Sequence, residues 1–296
     1  MRRARLAAPL IIACAALVIS MLAAGCGTSS AGAVAPLNAV KAIAPSINAP
    51  LGIPNSGVVV DNAMITYKVG SLQGVLPSVK PIVLTRGNKD LKRVALTIDD
   101  GWSEDPRILK LLKQQKVKFT AFLIGGRGVA NDNPSFVKRI VEAGGEVCSH
   151  TWSHYVMRGK SEDFVMSELW NGQGAVTKVT HEVLPYVRFS GGAYDKPALD
   201  WTAQSGYYVV NWTLDTMDST ANPNVPAQVS AVMNGISNGA IILCHWGGHN
   251  TYDVLSQIIP QIRAKGYEIT SLSRVMEGTP YRLTGTTASE GKKSGK

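Results

Sequence analysis

A chain of 296 residues with 45% hydrophobic residues is long enough for one large α/β domain or two small ones around a sizeable core. Its formal charge is +9, but Arg2, Arg3 and Arg5 sit at the very N-terminus, and without these three the excess is +6. Such a charge serves solubility and favours an acidic wall or membrane surface. No basic stretch is interleaved with aromatic residues, so a nucleic-acid partner is not expected.

The first 25 residues stand apart from any core. The three arginines precede an apolar stretch from Pro9 to Leu22, and Ala23-Ala24-Gly25-Cys26 is a small-residue cleavage site ending in cysteine. This resembles a bacterial lipoprotein signal and predicts an exported, extracytoplasmic protein tethered to the membrane through a lipidated Cys26. An ordinary cleaved signal would secrete the chain, and an uncleaved helix would anchor it; all three export it. Residues 26–57, rich in Ala, Gly, Ser, Pro and Asn, read as a flexible tether. Residues 58–92 alternate short apolar runs with turn residues and read as a strand-rich lead-in. Of the four cysteines, only Cys148 and Cys244 belong to the domain. They read as small buried apolar residues on separate strands, although an oxidising compartment would permit a disulfide.

From residue 93 the pattern changes to β-branched runs alternating with helical periods. Val94 to Ile98, Phe119 to Ile124, Glu146 to Ser149, the vicinity of Val187, Tyr207 to Asn211, Ala240 to Leu243 and Tyr267 to Thr270 read as strands. Between them, helices are predicted at Arg107 to Leu112, Ser135 to Ala143, Glu162 to Val183, Pro197 to Ser205, Val225 to Ile236 and Tyr252 to Ala264. Such alternation implies parallel strands joined by right-handed crossovers, in an α/β barrel or an open doubly wound sheet. This domain is expected to span 93–278, followed by a basic disordered tail, 279–296. Its polar clusters fall after strand ends, where active sites of parallel α/β folds gather.

The most informative cluster is Thr97-Ile98-Asp99-Asp100-Gly101. Adjacent carboxylates repel, and one takes up a proton unless a cation lies beside them. Fifty residues on, Ser149-His150-Thr151-Trp152-Ser153-His154 offers two histidines four apart, expected on one helical turn. One Asp and two His make a plausible metal site, with the second Asp free as a base, and suggest metal-assisted hydrolysis.

These two motifs, followed by Arg188, by Asp215-Thr216-Met217-Asp218 and by Leu243-Cys244-His245, resemble in order the polysaccharide deacetylases of the NodB-homology type, carbohydrate esterase family four. The resemblance runs from about Arg93 to Val275. It implies a distorted, incomplete (β/α) barrel and one divalent metal, usually zinc, with cobalt or another ion as substitutes. It assigns Asp100, His150 and His154 to the metal, Asp99 to the base, Arg188 to holding that base, and the Gly191 N–H to the oxyanion. His245 becomes the acid for the leaving amine, with Asp218 as its partner and Asp215 as a substitute. Trp152, Trp212 and Trp246 lie beside the motifs as candidate sugar-stacking faces. His249 is a loop histidine near the acid, and His181 is structural or exposed.

Two motifs depart from the family. Arg188-Phe189-Ser190-Gly191-Gly192 stands where many members have Arg-Pro-Pro-Tyr-Gly, which predicts a looser oxyanion loop. Asp218-Ser219 stands where Asp-Trp is usual, which predicts a more open groove. The implied function is removal of N-acetyl groups from a peptidoglycan-like or chitin-like polymer, with no obligate protein partner. The alternatives are a glycan-binding lipoprotein with little catalysis and an O-acetyl esterase.

Overall fold

The computed structural model describes residues 80–280, together with the backbone of three strands at 58–61, 64–69 and 72–75. The predicted signal, the lipidated Cys26, the tether and the tail beyond residue 280 lie outside the described residues. The three early strands, β1 (Val58–Asp61), β2 (Met64–Val69) and β3 (Leu72–Val75), pair antiparallel in sequence order.

The other strands are β4 (Val83–Leu84), β5 (Arg93–Asp100), β6 (Phe119–Leu123), β7 (Gly145–Ser149), β8 (Tyr186–Val187), β9 (Tyr208–Val210), β10 (Leu214–Asp215), β11 (Ile241–Trp246) and β12 (Glu268–Thr270). They form a nine-stranded sheet in the order β10-β11-β5-β6-β7-β8-β9-β4, with β12 alongside the first residues of β5. Every ladder in it is parallel. The sheet curls until its ends nearly meet: Arg86, just past β4, bridges Ala240, just before β11. Gly87 N–H donates to Gly239 O at 2.7 Å beside that bridge. The result is the distorted, incomplete (β/α) barrel expected from the motifs.

Helices cover the outer face: α1 (Pro106–Gln114), α2 (Pro134–Glu142), α3 (Glu162–Thr180), α4 (Lys196–Gln204), α5 (Val225–Met233), α6 (Thr251–Ala264) and the short α7 (Leu272–Val275). Four share one start signal. Asp105, Asn133, Asp195 and Asn224 each accept a hydrogen bond from a first-turn N–H, with a proline at the first or second helical position. Each such cap is worth about 1 kcal/mol, and the proline's missing N–H costs nothing at that position. Helix α3 stops at Thr180, short of the expected Val183, because His181 adopts a left-handed conformation (φ 58°) and donates its N–H to Thr177 O.

The core has two main layers because strand side chains alternate between faces. Leu96, Ile98, Ala121, Leu123, Ile242 and Cys244 face the helices. Ala95, Phe122, Cys148, Tyr208 and Ile241 face the barrel interior. Cys148 and Cys244 are therefore free, buried and in different layers, and burial pushes both thiols well above their ordinary pKa.

Candidate active site

Parallel pairing of β11 with β5 sets Leu243 beside Thr97 and His245 beside Asp99. Residues 97, 99, 243 and 245 thus share the interior face. By the same alternation Asp100 would point away from it. Its φ of 76° turns the strand end and brings both carboxylates to one cavity. The turn requires Gly101: its φ is 110°, and a Cβ there would come within 2.6 Å of Val129 Cγ1.

Asp100, His150 and His154 each present a ligand atom within 4.8 Å of the others. The Nε2 atoms of His150 and His154 lie 3.4 and 3.1 Å from Asp100 Oδ1. His150 Nδ1–H donates to Arg188 O at 2.8 Å, which leaves its Nε2 free to act as a ligand atom. Asp100 Oδ1 is buried and makes no hydrogen bond. Burial acts to raise the Asp100 pKa, yet His150 and His154 hold it well below the usual carboxylate range. An orphaned, ionised oxygen facing two imidazole nitrogens is a donor set suited to a divalent cation.

The histidines do not occupy a helical turn as expected. They sit in a loop after β7 in which Thr151 and His154 have positive φ (67° and 61°), and this conformation, not helical periodicity, aims both rings at Asp100.

Asp99 is buried beside the metal group, with Oδ2 3.7 Å from His150 Nε2. Its other oxygen accepts from Arg188 Nη1 at 2.6 Å. Arg188 is fully buried, and its remaining donors reach Thr97 Oγ1, Val210 O and Asn211 O. Its guanidinium lies 4.2 Å from the centre of the Phe122 ring. A buried guanidinium so completely partnered fixes the direction of the Asp99 carboxyl group.

Across the cavity, Asp218 is fully buried and holds His245 twice. Oδ1 meets His245 Nδ1 at 2.7 Å, and Oδ2 accepts from the His245 backbone N–H at 2.9 Å and from Thr251 Oγ1 at 2.6 Å. Burial opposes charge on His245, but the hydrogen bond to Asp218 and the carboxylates around it raise its pKa to about 9. Asp215 instead accepts from Met217 N–H and caps a turn. His249 borders the cavity and is exposed. His181 is exposed on the C-terminus of α3, away from the site.

Ser190, Gly191 and Gly192 form a single 3-10 turn, closed by Gly192 N–H to Phe189 O. Both glycines have positive φ, and Gly192 packs against Trp212. Gly191 lines the cavity, and its N–H falls among the first of the turn, which have no partner within it.

Two of the proposed stacking residues are not stacking faces. Strand β11 runs through Trp246, so its ring points opposite to His245: Trp246 borders the cavity but is 3% exposed and packs edge-on against Phe136 and Phe119. Trp152 lies over Gly125 and Gly126 and is not part of the cavity lining. Trp212 does line the cavity, as does Trp102, which sequence reasoning passed over although it directly follows Gly101. Trp102 is 47% exposed and meets His154 edge to face at 4.8 Å. The cavity is about 490 Å³. Its lining also includes the small residues Ser219, Gly247 and Gly248.

The family described as polysaccharide deacetylase matches residues 86–210. The chain is 31% identical over 192 residues to a peptidoglycan-N-acetylglucosamine deacetylase of Bacillus cereus, covering 62% of this chain and 88% of that one. It is 31% identical over 201 residues to a chitooligosaccharide deacetylase of Bradyrhizobium, covering 62% and 90%. Among solved structures, a CE4 family pseudoenzyme from Bacillus anthracis superposes with a TM-score of 0.62 at 28% identity, covering 67% of this chain and 70% of that one.

Proposed function

The chain belongs to the polysaccharide deacetylase family, and from that premise we propose that it is a zinc-dependent hydrolase removing N-acetyl groups from an amino-sugar polymer at the cell surface. The observation that carries this reading is the joint assembly of Asp100, His150 and His154 with two buried pairs, Asp99–Arg188 and Asp218–His245. A divalent ion on the first three residues would lower the pKa of a water towards roughly 7 and polarise the acetyl carbonyl.

Asp99, oriented by Arg188, accepts the proton of the attacking water. Gly191 N–H donates to the oxygen on which negative charge develops. His245, held charged by Asp218, gives its proton to the leaving nitrogen. An amine is a poor leaving group until protonated, so a histidine with raised pKa favours an amide substrate over an ester. Trp102 and Trp212 supply apolar faces for the sugar rings.

The Bacillus anthracis relative is called a pseudoenzyme, so the fold by itself does not establish turnover. A glycan-binding protein without catalysis would have no use for both the base pair and the acid pair. Acetate release from N-acetylglucosamine oligomers and peptidoglycan, lost with chelator and restored by zinc, is the expected result. Release from acetylated xylan alone would select the esterase reading, and glycan binding without release would select the binder. Residues 1–26 resemble a lipoprotein leader, which would put the domain outside the cytoplasm on a Cys26 anchor. Recovery of Cys26→Ser in the soluble rather than the membrane fraction is the expected check.

A further inference from the structure

The loop from His150 to His154 has no partner strand, yet its backbone groups are largely satisfied. His150 N–H donates to Leu123 O, and the Thr151 and Trp152 carbonyls accept from Gly125 and Gly126 N–H. Thr151 N–H turns back to Ser149 Oγ. The N–H groups of Trp152 and Ser153 both donate to one oxygen of Glu168, at 3.0 and 2.8 Å. The second oxygen accepts from the Ser153 hydroxyl at 2.5 Å.

Glu168 lies on α3, 3% exposed and one turn before Gly172. Residues four apart share a helix face. At Gly172 a Cβ would lie 2.5 Å from Ser149 Oγ and 2.7 Å from the Thr151 carbonyl carbon, so only glycine lets the helix approach this closely. One face of α3 is therefore shaped to receive the loop. Positive φ at Thr151, a β-branched residue, and at His154 is strained and persists only where the surroundings enforce it.

We propose that Glu168 is a positioning residue that holds the His150–His154 loop in its ligating conformation, so that the divalent ion meets a preformed site. The inference rests on the metal reading above. Glu168 touches neither substrate nor reacting atoms in this arrangement; it acts through the loop. Glutamine at this position keeps one oxygen for the two backbone N–H groups and turns its NH2 to Ser153 Oγ, which can accept. Alanine leaves both N–H groups unsatisfied.

The test is the zinc affinity of the full chain, stripped of metal and titrated against a competing chelator dye, read beside thermal unfolding. Loss of outer-shell support typically weakens metal binding about 10–100-fold, so Glu168→Ala is expected in that range and Glu168→Gln within about threefold of wild type. Glu146→Gln provides the comparison for general destabilisation. Its carboxylate bonds Ser271, Thr120 and the Ser273 N–H at the other end of β7, so it should lower the unfolding temperature and leave zinc affinity unchanged.

Wild-type affinity in Glu168→Ala overturns the proposal. Equal weakening in the Ala and Gln variants also overturns it, because charge rather than loop geometry would then be responsible. If Glu168→Ala does not fold, hydrogen exchange on metal-free wild type decides. Protected Trp152 and Ser153 amides support the proposal, and exchange at exposed-loop rates overturns it. A wild-type chain that binds no zinc overturns the metal reading and this inference with it, an outcome distinct from the others.

Discussion

Asp99 and Asp100 are neighbours with different surroundings, and the difference divides their work. Asp100 has an orphaned oxygen facing two imidazoles, whereas Asp99 is paired with a buried guanidinium. Asp100→Asn should therefore lose zinc and activity together. Asp99→Asn should keep zinc near wild-type affinity and lose about 10²–10⁴-fold in kcat, the usual contribution of a general base. Paired measurements of metal content and acetate release check this, and identical behaviour of the two variants would sink the division. His245 gives a second prediction. Its ordinary pKa is near 6.5 and its folded value about 9, so the acid form persists through neutral pH and kcat should fall as pH rises through that value. The linkage has the same sign: the charged pair stabilises the fold fully below about 6.5, and that contribution is lost as pH rises through the folded value. Asp218→Asn removes the main partner and should move the alkaline limb of the kcat profile to lower pH, as a pH series of acetate release would show.

At the scale of elements, most of the barrel could be read from the chain because each long strand is a β-branched run and each long helix has an apolar period. The two-residue strands β4 and β10 carry no period, and β10 was not foreseen. The errors at the site have physical causes of the same kind. Taking the strand at Ala240 to end at Leu243 left His245 and Trp246 in a loop, where both could face a substrate. Pairing of β11 with β5 extends through Trp246, and alternation then sends that ring into the outer core beside Phe136. Asp99, Asp100, His150, His154, Asp218 and His245, which the structure gathers at one cavity, were legible because their types, in that order, carry the family resemblance. The loop geometry of His150 and His154 was not, since it depends on Gly125, Gly126, Glu168 and Gly172, none of which is marked by local sequence. Trp102 carries no such signal either, since a single tryptophan after a turn glycine serves core packing as readily as sugar stacking.

At the scale of the molecule, a curled parallel sheet gathers the ends of β5, β7, β10 and β11 around one cavity lined by both aromatic and small residues. Trp102 stands half exposed beside His154, while Ser219, Gly247 and Gly248 line the cavity without presenting an apolar surface. An exposed indole can cover the apolar face of a sugar ring, and glycine and serine offer little to grip. A glycan chain should accordingly be held by the Trp102 ring, with binding energy that a small acetyl ester cannot use. Trp102→Ala is expected to raise KM for N-acetylglucosamine oligomers about tenfold, equal to about 1.4 kcal/mol, because ring stacking contributes chiefly to binding. Its kcat on the same oligomers, and its kcat/KM on a small acetyl ester, should stay near wild type if the His154 contact is unaffected. Steady-state kinetics on both substrates separate the cases. A matching loss on the small ester would show that the indole supports His154 rather than the sugar, and the ring would then belong to the metal site instead of the groove.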